Sequence, residues 1–515
     1  MRSALSRTII TLHRYLGVFI GLLMTLWCLS GFVMMYQGFP ATSAEERLAG
    51  LAPLAMPPNL SLEKLPFADD QPMADFRIER QGDRLLFRGG GGGGPAREGR
   101  RGTRSAGAID IVTGKPTTPL TVEEVRAVAL RFAAGNGLSP TEAVRIRQMD
   151  SLDQWTIQSF ERAQPVYHVR LGDASGSEIY ISGKSGEVIQ DTNRQERVLS
   201  WLGAIPHWLY PTVLRRNGQL WAQLVIWSAV IGTFLTATGL YIGIGRWQQA
   251  RTRGRLSPYR GLWFWHHMAG LFFGVLTLTW VVSGLLTMNP WGLLEGRPPV
   301  QREALTGEPS WADMKAAITA WQLNGAEQAG AVQLSAAPLG NRPYLIATKA
   351  SAEAARFGPD GRPAPLSEAD VRAAATDLPV SDIALLQAGD AYHYAFKEKT
   401  LAPAWRISLS DAERTRIYID AETGKVGRIM GASGRAARWL RNGLHSLDFL
   451  PRRPVWDGVT LLLLAGVTMV CATGSWMGLR RLQRDRGDDA VVAFIRRQVA
   501  GAEQDGEQRK PRRDQ

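Results

Sequence analysis

Long apolar runs divide this chain into pieces. Four of them, 15–36, 221–244, 262–288 and 459–479, contain no Asp, Glu, Lys or Arg. At about 1.5 Å per residue, each is long enough to cross a hydrocarbon core of about 30 Å. Each therefore predicts a membrane-spanning helix. Between the first two runs the pattern shortens. Residues 76–80, 84–88 and 108–112 read as strands, 122–134 carries a helical period, and 155–159, 166–171 and 178–181 read as further strands. The last of these ends at the turn Gly183-Lys184-Ser185-Gly186. The stretch between the third and fourth runs repeats the scheme, with a helix over 368–375. The predicted fold class is an α-helical membrane protein with α+β extracytoplasmic domains, built as a duplicated four-span bundle.

The duplication is read from matching positions. The third run matches the first at an offset of 253: His13 falls on His266, Gly17 on Gly270, Gly21 on Gly274, Trp27 on Trp280, and Ser30-Gly31 on Ser283-Gly284. Near an offset of 238, Tyr180-Ile181 falls on Tyr418-Ile419 and His207 on His445. Ala237-Thr238-Gly239 falls on Ala472-Thr473-Gly474 at 235. The first half is the longer one, in part through the six glycines at 89–94. That run lacks the fixed spacers and flanking strand and helix of a phosphate loop, and reads as a flexible surface insertion.

The net charge of +13 sets an orientation. Arg2, Arg7 and Arg14 precede or open the first run, and Arg480, Arg481 and Arg484 follow the fourth. Arg246, Arg251, Arg253, Arg255 and Arg260 fill the short connection between the second and third with no acid among them. By the positive-inside rule both termini and this loop are cytoplasmic. The expected organisation is helix one with its N-terminus (1–38), an outer domain with an interfacial helix (39–218), helix two (219–245), a basic loop (246–261), helix three (262–289), a second outer domain with an interfacial helix (290–456), helix four (457–479) and a basic tail expected to be disordered (480–515). Topology accounts for the basic balance, so no nucleic-acid partner is expected. The first run exceeds a signal-peptide core and its counterpart lies inside the chain, so it reads as an uncleaved helix. Cys28 and Cys471 both lie within spans and read as small apolar packing residues, with no disulfide framework.

Chemistry is carried by histidine. There are only seven, and four stand at matching places: His13 and His266 at the inner ends of spans one and three, His207 and His445 ahead of spans two and four. Ionisable side chains near a bilayer are costly and usually functional. Two imidazoles facing each other across a helix bundle are what a b-type haem iron needs, and such an iron, coordinatively full, transfers electrons. The expected cofactors are two haem b groups, with axial ligands His13 and His266 on the inner side and His207 and His445 on the outer. No Cys-x-x-Cys-His attaches a haem covalently. His267 reads as an interfacial donor or an alternative ligand. His168 and His393 read as surface residues. Gly17, Gly21, Gly270 and Gly274 admit either a flat macrocycle or close helix packing. Arg215, Arg216, Arg452 and Arg453 break the positive-inside rule on the outer side. They are read as partners for haem propionates or an anionic ferric chelate, or as solvated linker charge.

The order of motifs resembles the PepSY-associated transmembrane family over nearly the whole chain. It rests on His-Arg-Tyr-Leu-Gly and Ser-Gly in span one, two strand–turn repeats ending in Ser-Gly-Glu or Thr-Gly-Lys, and a histidine after each outer domain followed by a span carrying Ala-Thr-Gly. The resemblance implies two PepSY-like periplasmic domains on a bacterial inner membrane. It also implies a link to iron uptake, with a haem-dependent reductase that releases iron(II) from a periplasmic ferric siderophore or other ferric chelate. The cytoplasmic segments are too small for a flavin or nicotinamide domain, so a quinol or a separate reductase is the expected electron donor. The alternative is a non-redox membrane scaffold whose outer domains bind or inhibit a partner protein. A transporter would want intramembrane carboxylates or broken helices, and neither is evident.

Overall fold

The computed structural model describes residues 4–508 apart from 58, 90–107, 295–298, 325–329, 395–402 and 451, with side chains for 6–484 of that range. Most of the glycine-rich segment, from 90 onward, lies outside the described residues. Four helices are long and apolar enough to cross a membrane: span one (Ser6–Met34), span two (Gly218–Arg251), span three (Leu262–Thr287) and span four (Arg453–Arg484). Spans one and three each pack against both two and four, so one faces three across a diagonal of the bundle. Phe19, Leu22, Phe272, Val275 and Leu462 point outward and are exposed. Such an apolar outer surface suits lipid, while backbone polar groups are satisfied within each helix.

The bundle closes through small residues. A Cβ on Gly466 would lie 2.3 Å from the Phe273 ring, one on Gly21 2.6 Å from Ser475 Oγ, and one on Gly274 2.6 Å from Leu240 Cδ2. Close approach of this kind, more than hydrophobicity, holds helices together in lipid. The core between spans one and four includes Met24, Cys28, Leu464, Val467 and Cys471. Cys28 and Cys471 are free, buried and hydrogen-bonded to each other across that interface. The tail expected to be disordered is helical instead: the fourth helix runs from Arg453 to Gln508. Good helix formers dominate there and no proline intervenes before Pro511, so nothing local stops the helix at 480.

Above one end of the bundle sit three antiparallel sheets. The first stretch supplies β1 (Phe76–Gln81), β2 (Arg84–Gly89), β3 (Ile109–Asp110), β4 (Arg145–Gln148), β5 (Val166–Arg170), β6 (Glu178–Ser182) and β7 (Val188–Thr192). The second supplies β8 (Ala331–Ala336), β9 (Leu345–Lys349), β10 (Ala354–Phe357), β11 (Val380–Leu386), β12 (Ala404–Leu409), β13 (Arg416–Asp420) and β14 (Val426–Met430). Strands β4 to β7 form one four-stranded sheet and β11 to β14 another. The remaining six do not separate by stretch. They form one sheet in the order β10-β9-β8-β1-β2-β3. β1 pairs with β8 through Arg77↔Ser335, Ile78↔Leu334 and Glu79↔Gln333. The two outer segments, read from sequence as separate domains, thus share a central sheet. Its core holds Ile78, Phe87, Trp311, Trp321 and Phe357, all at most 1 % exposed.

Local chemistry explains most elements. The helix Val122–Gly135 starts at a capping box in which Thr121 and Glu124 satisfy each other's backbone N–H groups. It buries Val125, Ala129, Phe132 and Ala133, one face at helical spacing. Ser367 and Asp370 start the helix Glu368–Ala374 the same way. The strand expected over 155–159 is a turn. Asp153 Oδ1 accepts the backbone N–H groups of Trp155 and Thr156 and the Thr156 hydroxyl, and this side-chain turn outcompetes a ladder. The strand over 108–112 shrinks to Ile109–Asp110. Short helices lead from each four-stranded sheet back to the bundle. Arg194–Leu202 and Ala204–His207 do so before span two, and Ala432–Ala437, a π-helical turn Arg438–Gly443 and Leu444–Ser446 before span four.

Candidate functional site

His207 ends one of these short helices and His445 lies in another. Both dock on the sheet-bearing end of the bundle, with ring centroids 6.3 Å apart and ring planes at 59°. A metal–imidazole bond is about 2 Å, and the ring centre lies roughly another 1 Å beyond the nitrogen, so two imidazoles trans on one ion stand roughly 6 Å apart. His13 lies about two and a half turns inside its helix, which begins at Ala4, and His266 in the first two turns of span three. They stand on spans that face each other across the diagonal of the bundle.

All four rings are held by one device. His13 Nδ1 lies 3.0 Å from Leu235 O and 3.4 Å from Thr238 Oγ1. His266 Nδ1 lies 3.2 Å from Val470 O and 3.1 Å from Thr473 Oγ1. His207 Nδ1 lies 3.0 Å from Trp27 O and 3.2 Å from Ser30 Oγ. His445 Nδ1 lies 3.2 Å from Ser283 Oγ and bonds the Trp280 carbonyl. A carbonyl oxygen only accepts, so Nδ1 carries the proton. The hydroxyls of Ser30, Thr238, Ser283 and Thr473 give their own protons to helix carbonyls, which leaves their oxygens free to accept as well. A neutral ring so fixed presents a bare lone pair at Nε2. That is the arrangement by which second partners orient a metal-binding histidine and raise its basicity.

The glycine after each hydroxyl residue makes room for the ring. A Cβ on Gly239 would sit 2.7 Å from His13 Cε1, one on Gly474 2.8 Å from His266 Cε1, and one on Gly284 3.3 Å from His445 Cε1. Gly31 is looser, at 4.0 Å from His207 Cε1. The glycines of spans one and three divide by role. Gly21 and Gly274 pack on neighbouring helices, whereas Gly17 and Gly270, one turn beyond His13 and His266, have nothing within 4 Å of a Cβ. The indole N–H groups of Trp27 and Trp280 are buried with no hydrogen-bond partner. Spaces that a Cβ would not fill, orphan donors and free Nε2 atoms together make a donor set that a flat, bis-imidazole-ligated group fits. Among the described residues no three His, Cys, Asp or Glu side chains gather to hold a bare ion.

Other singled-out residues have other surroundings. Both nitrogens of His267 are engaged, Nδ1 by Ser257 Oγ at 2.9 Å and Nε2 by Gly243 O at 2.9 Å, so its ring ties the basic connection to span two and offers no free lone pair. Arg215 lies over the rings of Tyr210 and Trp221, with centroid distances of 5.1 and 4.5 Å. Arg453 lies over Tyr36 and Trp456 and bonds Asp457 and the Met35 carbonyl. Arg216 and Arg452 are exposed. His168 is buried rather than on the surface: it stacks on Tyr180 at 4.7 Å and pairs with Glu178. His393 stacks on Tyr418 at 5.7 Å. Both tyrosines also bond an aspartate, Asp153 and Asp390, an arrangement hidden in the sequence because the two histidines occupy unmatched positions. The indoles of Trp221 and Trp456 donate to the carbonyls of Trp208 and Ser446, the residues next to His207 and His445.

No curated protein matches the sequence. A family model described as the PepSY-associated TM region matches residues 10–481. With four apolar helices carrying the matched segment and antiparallel sheets between them, this membrane protein belongs to the PepSY-associated transmembrane family.

Proposed function

We propose that this chain is a di-haem b-type electron-transfer protein of a bacterial inner membrane. It would reduce periplasmic ferric complexes, siderophores among them, and so release iron(II). The observation that supports the reading is the repeated Nδ1–H bond to a helix carbonyl, which leaves four Nε2 lone pairs, two of them on the rings of His207 and His445, whose centroids lie 6.3 Å apart. Two nitrogen donors alone do not hold a bare iron ion, so such a pair suits an iron that arrives already bound in a porphyrin. His13 and His266 would hold one haem, His207 and His445 the other. Haem iron held by two imidazoles is coordinatively full and exchanges single electrons. The chain's own contribution is to keep each imidazole neutral and aimed, with all four rings half-buried in the bundle. The basic connection between spans two and three supports placing His13 and His266 on the cytoplasmic side. Hard oxygen chelators hold iron(III) much better than iron(II), so one electron weakens the complex enough to free the metal. A quinol or separate reductase would supply that electron.

The purified protein should show the reduced-minus-oxidised spectrum of low-spin haem b, extractable into acid acetone. His13→Ala and His207→Ala should each leave about half the pigment, and His13→Ala/His266→Ala no less than either single change, as expected for two sites with paired ligands. Reduced protein in proteoliposomes should be reoxidised by an external ferric siderophore, with a ferrous trap reporting release. Colourless protein from haem-replete cells would defeat the whole proposal. Coloured protein indifferent to every ferric chelate class would defeat the substrate alone and leave electron transfer standing.

A further inference from the structure

The short helices that lead to His207 and His445 leave large apolar side chains uncovered. Trp201 and Leu202 are 52 % and 58 % exposed, and Trp439 and Leu440 are each 38 % exposed. Trp201-Leu202 falls on Trp439-Leu440 at an offset of 238, the same that takes His207 to His445. Other tryptophans nearby behave differently: Trp221 and Trp456 turn their indoles inward, to the carbonyls of Trp208 and Ser446. The two exposed pairs stand at one level. His207 and His445 reach Ser30 and Ser283, each four residues short of a span's end at Met34 or Thr287. Four residues of helix rise about 6 Å, and the six from Trp201 to His207 or from Trp439 to His445 about 9 Å. The pairs therefore leave the bundle within about one turn of the span ends. Packing agrees with this. Gly203, next to Leu202, lies against span one, where a Cβ on it would be 3.0 Å from Val33 Cγ1, and Ser200 Oγ donates to Gly38 O at 3.4 Å. Arg441, next to Leu440, donates to the Leu294 carbonyl, a few residues past span three.

We propose that Trp201-Leu202 and Trp439-Leu440 are inserted into the leaflet on the sheet-bearing side of the bilayer, at the boundary between headgroups and acyl chains. Tryptophan favours that depth because its ring is apolar and its N–H polar, and a leucine beside it reaches the acyl chains. Lipid is a better cover than a partner protein, because the pairs continue the apolar outer surface of the spans at the level where it ends. The exposed Arg216 and Arg452 stand in the connections from these helices to spans two and four, where a guanidinium can meet lipid phosphate. The consequence is mechanical. Each histidine segment is held on one side by the bundle and on the other by lipid, so the depth of His207 and His445 is set against the bilayer surface. The anchoring does not depend on what the histidines bind.

The test uses the full-length protein, one copy per nanodisc of phosphatidylethanolamine and phosphatidylglycerol, with a nitroxide on Leu202→Cys or on Leu440→Cys. Protein without an introduced cysteine gives the background from the buried Cys28 and Cys471. Leu462→Cys, on the outward face of span four, and Val112→Cys, on the turn after β3, give the lipid and water references, since the two residues are 68 % and 52 % exposed. Oxygen concentrates in lipid and a neutral nickel chelate in water, so power saturation with each reagent reports the surroundings of the label. Labels at 202 and 440 should be relaxed more by oxygen than by nickel, as at 462. Melting curves unchanged from the parent would show that folding is intact. Relaxation by nickel as strong as at 112 would overturn the proposal. So would protection from both reagents, which would mean that protein covers this face.

Discussion

A histidine is a ligand only if something decides which nitrogen keeps the proton. Here the decision falls to single residues one or two helices away. Thr238 and Ser30 add a second acceptor to His13 and His207, and Thr473 and Ser283 do the same for the other two. Thr238→Val keeps the shape and the Leu235 carbonyl but removes that acceptor. If the proposed haem is held by His13, the pigment should be retained, its midpoint potential should rise because a less basic imidazole donates less to iron, and haem affinity should fall about tenfold. Redox titration of the variant checks this, and an unchanged potential would argue that the hydroxyl has no part in tuning. Glycine supplies the complementary constraint. Gly239→Ala places a methyl 2.7 Å from His13 Cε1 and should cost the haem proposed for His13 and His266, whereas Gly245→Ala, with nothing within 4 Å, should cost none.

Elements transmit these constraints. The short helix carrying His207 is pinned by the Trp221 indole, and the one carrying His445 by Trp456. Trp221→Phe should lower stability by about 1 kcal/mol through one lost hydrogen bond. It should also broaden the spectrum of the His207–His445 pair while leaving the other pair sharp. At the start of the first short helix, β7 holds Asp191, which accepts from Thr42. Burial, helped by Glu46 and Glu196, pushes its carboxyl up to about 6. A folded value above the unfolded value near 3.8 means the proton is held more tightly in the fold. The stabilisation is complete below the unfolded value, is lost as pH rises, and is gone above about 6. Asp191→Asn should therefore raise the thermal midpoint at pH 7.5, worth about 1–3 kcal/mol, with no gain at pH 3.5. Melting curves at the two pH values decide it. The helix of span four shows the same logic in reverse: with no breaker in its sequence, it simply continues.

At the scale of the whole molecule, the central sheet joins the two stretches, and Glu79 sits at the joint. Its carboxylate takes Gln333 across the β1–β8 pair at 2.5 Å, besides its three arginines. Burial alone would raise its pKa, but Arg77, Arg88 and Arg47 outweigh that and hold it at about 2. Its stabilisation is present above the unfolded value near 4.5 and is lost as pH falls towards about 2. Glu79→Gln should cost about 3–5 kcal/mol, because it leaves buried guanidinium groups uncompensated. Since the joint is shared, both strand-bearing stretches should become protease-sensitive together. Cleavage confined to one stretch would show that the halves are held independently.

Four long apolar helices, the strand–helix–strand scheme of the stretches between them and the matching places of four histidines were legible in the sequence, because each is written in neighbouring residues. Apolar runs, the Thr121–Glu124 box and the spacing of Val125, Ala129 and Phe132 act over one or two turns. The motifs Ser30-Gly31 and Thr238-Gly239 were also visible, but only as markers of a matching half. Their use as acceptor and gap for an imidazole depends on residues more than 170 positions away in the chain. The exclusion of His267, the stacking of Arg215 and Arg453 on aromatic rings and the pairing of β1 with β8 belong to the same class. So does the contact of Cys28 with Cys471. Periodicity and charge pattern determine which elements form and which side of a membrane they favour, because those choices are made residue by residue against water and lipid. Which nitrogen is free and which strands become neighbours depend on distances between elements, and only the packed chain sets those.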